Sequence, residues 1–89
     1  MRVVVITGLS GSGKTSAVQA MEDVGYFCVD NLPVLLLSGL VDLLASSGDP
    51  IRRLAVVMDL RDERFVAEHR RVFDELERKG VRVEILFLE

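Results

Sequence analysis

One short segment of the sequence has the residue types and spacing that bind phosphate groups. Residues 8–15 match the pattern G-x-x-x-x-G-K-[ST], known as the Walker A pattern or P-loop. Its glycines let the backbone curl so that successive amide N–H groups point at phosphate oxygens. Lys14 would reach the β- and γ-phosphates of a nucleotide, and the Thr15 hydroxyl would bind Mg²⁺. The pattern therefore predicts a nucleotide site made of Gly8, Leu9, Ser10, Gly11, Ser12, Gly13, Lys14 and Thr15.

Asp59 is the first candidate for a carboxylate that acts beside this segment. It follows the apolar run of residues 54–58, which is typical of a buried strand in a parallel sheet. Ligands bind beyond the carboxyl ends of such strands, so Asp59 would act with Lys14 in catalysis and with Thr15 in holding Mg²⁺. The structural alternative is that Asp59 only begins the loop before Asp62 caps a helix.

Asp30 is the rival carboxylate. It follows the short apolar run of residues 26–29, so it also lies at the carboxyl end of an expected strand. There it would activate or hold the group that receives a phosphoryl group, orient an attacking water, or contact Mg²⁺. The alternative is an Asx turn that leads to Pro33. The residues alone leave open whether Asp30 or Asp59 dominates the handling of Mg²⁺.

Three other side chains have a structural interpretation, and two of them, Arg61 and His69, have a chemical one as well. Arg61 would stabilise phosphate charge or hold a nucleotide base, or it would be a solvated loop residue. His69 lies four residues after Phe65 on the expected third helix, and we interpret it as a half-buried helix residue rather than a ligand. We interpret Cys28 as a small core side chain.

The composition excludes several other classes of protein. The chain has 89 residues, of which 49% are hydrophobic and 28% charged, a balance too apolar for a disordered chain. A single cysteine excludes an internal disulfide and argues against a cysteine-based zinc site. The apolar runs are too short for a membrane span, and no secretory signal is evident. A net charge of −3 without a basic face argues against nucleic-acid binding by these residues. We therefore expect a soluble cytoplasmic domain.

The elements that must position these residues alternate between strands and helices. A first helix is predicted from Lys14 to a stop at Gly25, and a second from Pro33 to about Gly48. A third helix is predicted between a cap at Asp62 and a stop at Gly80. The predicted strands are residues 1–7, 26–29, 54–59 and 81–88.

This alternation predicts the fold class. Strands that alternate with helices form a parallel sheet with right-handed crossovers and helices on both faces. We expect a three-layer α/β fold like that of P-loop NTPases, truncated after the fourth strand. Because such a sheet normally continues with another helix, we expect residue 89 to end a fragment that is poorly stable or self-associating alone.

Several segments together resemble one family. They are the P-loop itself, the run Met-Glu-Asp-Val-Gly-Tyr, the run Cys-Val-Asp-Asn-Leu-Pro, the run Asp-Leu-Arg-Asp and the final Leu-Phe-Leu-Glu, at residues 8–15, 21–26, 28–33, 59–62 and 86–89. With these five segments in this order, the chain resembles the RNase adapter protein RapZ / YvcJ family of nucleotide-binding proteins. The run at 28–33 is much more specific than the P-loop, which many unrelated proteins share. The resemblance spans the entire chain.

The resemblance implies a P-loop protein that binds ATP and also GTP and hydrolyses them weakly. The family's ATP segment falls on residues 8–15, and its GTP segment falls on Asp59, Leu60, Arg61 and Asp62. Some members are adapters that present a small regulatory RNA to a ribonuclease through a C-terminal domain. Residues 1–89 would be the N-terminal part of the P-loop nucleotide-binding domain, without that RNA-binding domain. A sheet order of 2-3-1-4 would then place the strand before Asp59 beside the strand before the P-loop.

Two other functions stay open at this point. One is a small-molecule kinase in which Asp30 binds the acceptor hydroxyl. The other is a nucleotide-sensing module whose bound state changes its contacts with a partner. The sequence does not decide between ATP and GTP.

Overall fold

Strands and helices alternate along the chain, as the apolar pattern predicts. A computed structural model describes residues 1–8, 11–48, 50–59 and 61–88, and only the backbone of residues 11 and 12. Its elements are β1 (Arg2–Gly8), α1 (Gly11–Asp23), β2 (Phe27–Val29), a 3₁₀ turn (Val34–Leu36), α2 (Leu37–Ala45), β3 (Arg53–Val57), α3 (Glu63–Arg78) and β4 (Arg82–Leu88).

The strands form one parallel sheet in the order β2-β3-β1-β4. The predicted order is therefore confirmed. β1 is internal and pairs with β3 on one side and β4 on the other, with Ile6 opposite both Val57 and Leu86. Its residues 3–6 are all buried, which explains why this strand is apolar without alternation.

Helices cover both faces of the sheet, which confirms the predicted three-layer α/β class. On one face, Val3 and Val5 of β1 belong to a core cluster with residues of α2 and α3, including Leu37 and Leu76. On the other face, Val4 and Ile6 pack against α1 through Ala17, Val18 and Met21. None of the described helices is long and apolar enough to cross a membrane.

Two glycines stop helices as predicted, and they also shift the strands that follow. Gly25 and Gly80 have φ of +94° and +84°. After Gly25, the amide of Tyr26 donates to the carbonyl of Met21 at 3.0 Å, and after Gly80 the amide of Val81 donates to the carbonyl of Leu76 at 3.0 Å. Because these amides close the helix ends, β2 begins at Phe27 and β4 at Arg82, each one residue later than predicted.

The predicted second helix is wrong at both ends. Pro33 has a ψ of 138°, so it is extended and precedes the helical segment instead of starting it. The chain then forms a 3₁₀ turn before α2, and α2 ends at Ala45 rather than near Gly48. The cap of α3 is confirmed, since a carboxylate oxygen of Asp62 accepts a hydrogen bond from the amide of Arg64 at 2.9 Å.

Candidate nucleotide-binding site

The predicted P-loop connects the internal strand to α1. Gly8 is the last residue of β1, and α1 begins at Gly11, three residues before the predicted start at Lys14. The N-terminus of a helix has the positive end of the helix dipole, which suits a phosphate. The predicted contacts of Leu9, of Ser10 and of the Ser12 side chain lie outside the described residues.

Gly8 occupies a position that accepts no side chain. Its φ is +151°, and a Cβ placed there would overlap the backbone carbonyl oxygen of Leu88. β1 and β4 therefore lie in direct backbone contact where the P-loop begins. This close approach is the physical reason for a glycine at the first position of the pattern.

One cavity brings together the side chains predicted to act on the nucleotide. It has a volume of about 600 Å³ and lies between α1 and the ends of β2 and β3. A cavity of this size is within the range of small-molecule sites. Its lining includes the three predicted catalytic residues and the predicted metal ligands, since it is formed by Lys14, Thr15, Val18, Gln19, Glu22, Asp30, Asn31, Val57, Met58 and Asp59.

Three polar residues of this cavity were missed by the sequence reasoning. Gln19 and Glu22 follow Lys14 and Thr15 on one face of α1, at the spacing that a helix brings together. That spacing was a usable signal. Asn31 is the third, and its only signal was its place beside Asp30.

Asp59 lies just past β3 rather than within it. β3 ends at Val57, and the amide of Asp62 donates to the carbonyl of Asp59 at 3.2 Å. The predicted strand 54–59 therefore ends two residues too late, because the chain turns at Asp59. The turn leaves its carboxylate at the carboxyl end of the sheet, in the position that the sequence predicted.

Arg61 binds the Asp59 carboxylate instead of lining the cavity. The Arg61 backbone amide donates to Oδ1 at 2.9 Å, and its guanidinium contacts Oδ1 and Oδ2 at 3.2 Å each. These hydrogen bonds, with a smaller effect of Lys14, lower the pKa of Asp59. Asp59 is therefore ionised at neutral pH, as a metal ligand must be. Of the other residues in segment 59–62, Asp62 caps α3 and Leu60 lies outside the described residues.

Asp30 follows β2 directly, and the turn after it is tied to β3. The amide of Leu32 donates to the carbonyl of Val57 at 3.1 Å. This bond holds the turn next to the end of β3, two residues before Asp59. The structure therefore places both candidate carboxylates at the carboxyl end of the sheet.

The residues that we interpreted as structural lie outside this cavity. His69 is half-buried on α3, where its ring stacks on Phe65 at a centroid distance of 5.0 Å and its Nδ1 lies 2.8 Å from the Phe65 carbonyl oxygen. Cys28 is half-buried in the cluster beneath α1. Burial raises the pKa of its thiol, so the reactive thiolate is disfavoured. The structure thus confirms that His69 is a half-buried helix residue and that Cys28 packs against the core.

The cavity suits a magnesium ion only when a nucleotide completes its ligands. Among the residues that the structure describes, no group of three His, Cys, Asp or Glu side chains could hold a metal ion. Mg²⁺ is commonly bound by one or two protein oxygens with substrate phosphates and water. Thr15 and Asp59 line the same cavity and could supply these one or two protein oxygens.

Comparison with known proteins identifies the family. A family model described as the RapZ-like N-terminal domain matches residues 1–89. A nucleotide-binding protein of Geobacter sulfurreducens is 49% identical over 89 residues, which are 100% of this chain and 31% of that protein. A nucleotide-binding protein of Anaeromyxobacter dehalogenans strain 2CP-C is 48% identical over 88 residues, 99% of this chain and 30% of that protein. The chain thus spans less than a third of the length of these relatives, and it belongs to the RapZ-like N-terminal domain family.

Proposed function

We propose that this chain binds ATP or GTP with Mg²⁺ through residues 8–15 and hydrolyses the nucleotide slowly. The observation that carries the proposal is the shared cavity of Lys14, Thr15, Asp30 and Asp59 next to the strand–loop–helix segment. The names of the relatives, which are nucleotide-binding proteins, support it. They do not distinguish ATP from GTP.

Each side chain of the site would have a role that follows from its chemistry. The ammonium of Lys14 and the amides at the start of α1 would neutralise the phosphates. The Thr15 hydroxyl and the Asp59 carboxylate would hold Mg²⁺, which supplies further positive charge to the phosphates. Asp30 would accept the proton of the attacking group.

Arg61 competes with a metal ion for the oxygens of the Asp59 carboxylate. The side chains of Arg61 and Asp59 are 84% and 39% exposed, and an exposed ion pair of this kind is weak in water. A metal–nucleotide complex can therefore displace Arg61. The freed guanidinium would then be available to the phosphates or to the base, which agrees with a nucleotide-binding role for segment 59–62.

The two lysines of the chain provide a matched test of this proposal. We expect Lys14→Ala to weaken Mg·ATP and Mg·GTP at least about 100-fold in calorimetry, because it removes the charge that faces the phosphates. Lys79→Ala is the control, since Lys79 pairs with Asp42 and Glu75 on the surface of α2 and α3. Circular dichroism would check that both variants fold. Equal affinity in wild type and Lys14→Ala would contradict the proposal.

We further propose that residues 1–89 are the N-terminal part of a cytoplasmic regulatory protein of the RNase adapter type. The much greater length of the relatives supports this. The net charge of −3 favours a place for RNA and ribonuclease contacts in another part of such a protein. Deletion of residues 1–89 should then remove nucleotide binding and leave RNA binding measurable in a mobility-shift assay.

The size of the cavity favours one alternative, a small-molecule kinase. The cavity extends from Lys14 to Glu22, eight residues or about 12 Å along α1. An attacking water needs far less room. Release of free phosphate with no phosphorylated product in a metabolite mixture would reject this alternative.

A further inference from the structure

The turn after β2 contains a residue in an unusual backbone conformation. Asn31 has a φ of +56°, and it is the one non-glycine residue in the described part of the chain with a positive φ. Side chains generally disfavour this left-handed region, although asparagine tolerates it better than most residues do. Such outliers persist where the surrounding structure holds them, often at functional sites. Here the hydrogen bond from the Leu32 amide to the Val57 carbonyl holds the turn in place.

The position of Asn31 connects this conformation to the candidate site. Asn31 lines the cavity that Lys14 and Asp59 also line, and it follows Asp30 directly. Its side chain is exposed, and no hydrogen bond among the described residues uses its amide. Asn31 thus presents a polar side chain, with no hydrogen bond among the described residues, at the wall of the cavity that Lys14 and Asp59 also line.

We propose that Asn31 and Asp30 bind the hydroxyl oxygen that attacks the γ-phosphate. The proposal rests on the proposed function. The attacking oxygen bonds to the γ-phosphorus, the bond from phosphorus to the β–γ bridging oxygen breaks, and the nucleoside diphosphate leaves with that electron pair. The Asp30 carboxylate takes the proton of the hydroxyl, while a hydrogen bond to the Asn31 amide holds its oxygen in place.

The location of the cavity supports this role over contact with the nucleotide base. The cavity is lined by α1, by the turn after β2 and by the end of β3, and no residue of β4 lines it. Starting from Lys14, it therefore extends toward the β2 side of the sheet. A group that occupies it lies beside the phosphate that Lys14 holds, where an attacking oxygen must be.

Two substitutions of Asn31 separate its side chain from its backbone conformation. Glycine adopts a positive φ readily, so Asn31→Gly keeps the turn and removes the amide. Asn31→Asp keeps the shape and the tolerance for this conformation but replaces the amide by a carboxylate. Unchanged melting temperatures would show that both variants of the intact protein retain the fold.

The decisive measurement compares two ligands by calorimetry in the presence of Mg²⁺. ADP alone lacks the transferring group, whereas ADP with tetrafluoroaluminate mimics that group together with its attacking oxygen. We expect Asn31→Gly to weaken the tetrafluoroaluminate complex about tenfold, as for a lost hydrogen bond, and to leave ADP affinity unchanged. Asn31→Asp should weaken that complex further, through repulsion.

The outcomes also separate this inference from the proposed function. Equal affinities of wild type and Asn31→Gly for both ligands, or an equal loss for both, would overturn the role of Asn31. If wild type binds ADP but tetrafluoroaluminate does not increase the affinity, the role of Asn31 is overturned as well. The proposal of nucleotide binding would still stand. No binding of any nucleotide would reject both proposals.

The source of the hydroxyl is read from the reaction product. Turnover of ATP in the presence of glycerol, followed by phosphorus NMR, yields free phosphate if water attacks and a glycerol phosphate ester if an alcohol attacks. Loss of the observed product in Asn31→Gly would support the proposal in either case, and unchanged product formation would contradict it.

Discussion

Arg61 stabilises the ionised form of the Asp59 carboxylate, and this effect is local to a three-residue turn. Both the backbone and the side chain of Arg61 donate to Asp59, and the pKa of Asp59 is lowered as a result. The pair is exposed, so its main consequence concerns the charge of Asp59 rather than the stability of the fold.

Arg61→Ala should bring the Asp59 pKa back toward the ordinary value of about 3.9. Because the pKa of Asp59 in the folded state is lowered, the ion pair stabilises the fold above the ordinary pKa. That contribution is lost as the pH falls through the lowered pKa. NMR titration of the carboxyl would measure the change. Arg71→Ala, which breaks the Arg71–Glu68 pair on α3, is the control, and the same Asp59 pKa in both variants would contradict the prediction.

The sequence predicts residues of the site well where a polar side chain ends an apolar run. Asp30 and Asp59 were placed at strand ends for this reason, and the structure places them there. Glu22 and Asn31 were missed because neither ends a strand. They reach the cavity only because α1 packs across the sheet and because the turn at Asn31 is held to β3.

At the scale of elements, the contact between β1 and β4 explains why Gly8 accepts no larger residue. Gly39 has no such role. Gly39 lies in α2, and a Cβ there would meet nothing within 4 Å. The two positions therefore give opposite expectations for the same substitution.

Gly8→Ala should lower the free energy of unfolding by roughly 3 kcal/mol, because the new Cβ would force β1 and β4 apart. Gly39→Ala should raise it by about 0.5–1 kcal/mol, because alanine favours a helix more than glycine does. Urea unfolding would measure both. A destabilised Gly39→Ala, or an unaffected Gly8→Ala, would contradict this account of the two glycines.

The boundaries of elements were predicted less accurately than their order. The helix stops at Gly25 and Gly80 were correct, since glycine alone adopts that conformation easily. The start of α1 and the 3₁₀ turn before α2 were not predicted. The residue types near these points are compatible with several first residues for each helix, and packing against the sheet selects one of them.

At the scale of the whole molecule, β4 presents apolar side chains to solvent. Ile85 and Phe87 are 53% and 48% exposed. They alternate with Leu86 and Leu88, which pack in the cluster beneath α1. In the described residues β4 pairs only with β1, so one of its edges is open. An open edge beside exposed apolar side chains favours association with another surface.

We therefore expect residues 1–89 in isolation to self-associate through β4. A double substitution, Ile85→Lys with Phe87→Lys, should shift the protein toward monomer in sedimentation velocity, because charge on an edge strand opposes pairing. Leu43→Lys is the control, since Leu43 is 67% exposed but belongs to α2 and not to β4. A monomeric wild type with a cooperative unfolding transition would show that the exposed Ile85 and Phe87 side chains do not drive association.

The sequence by itself determined the order of elements, the parallel sheet, the central place of β1 and the family. Apolar runs, glycine stops and the P-loop pattern are local signals, so they can be read from neighbouring residues. Only the tertiary structure decided that Asn31 and Glu22 share a cavity with Lys14, that Arg61 binds Asp59, and that Gly8 lies against Leu88. These contacts join segments that lie apart along the chain or depend on the path of one turn. Their geometry follows from how α1, the turns and the strands pack together.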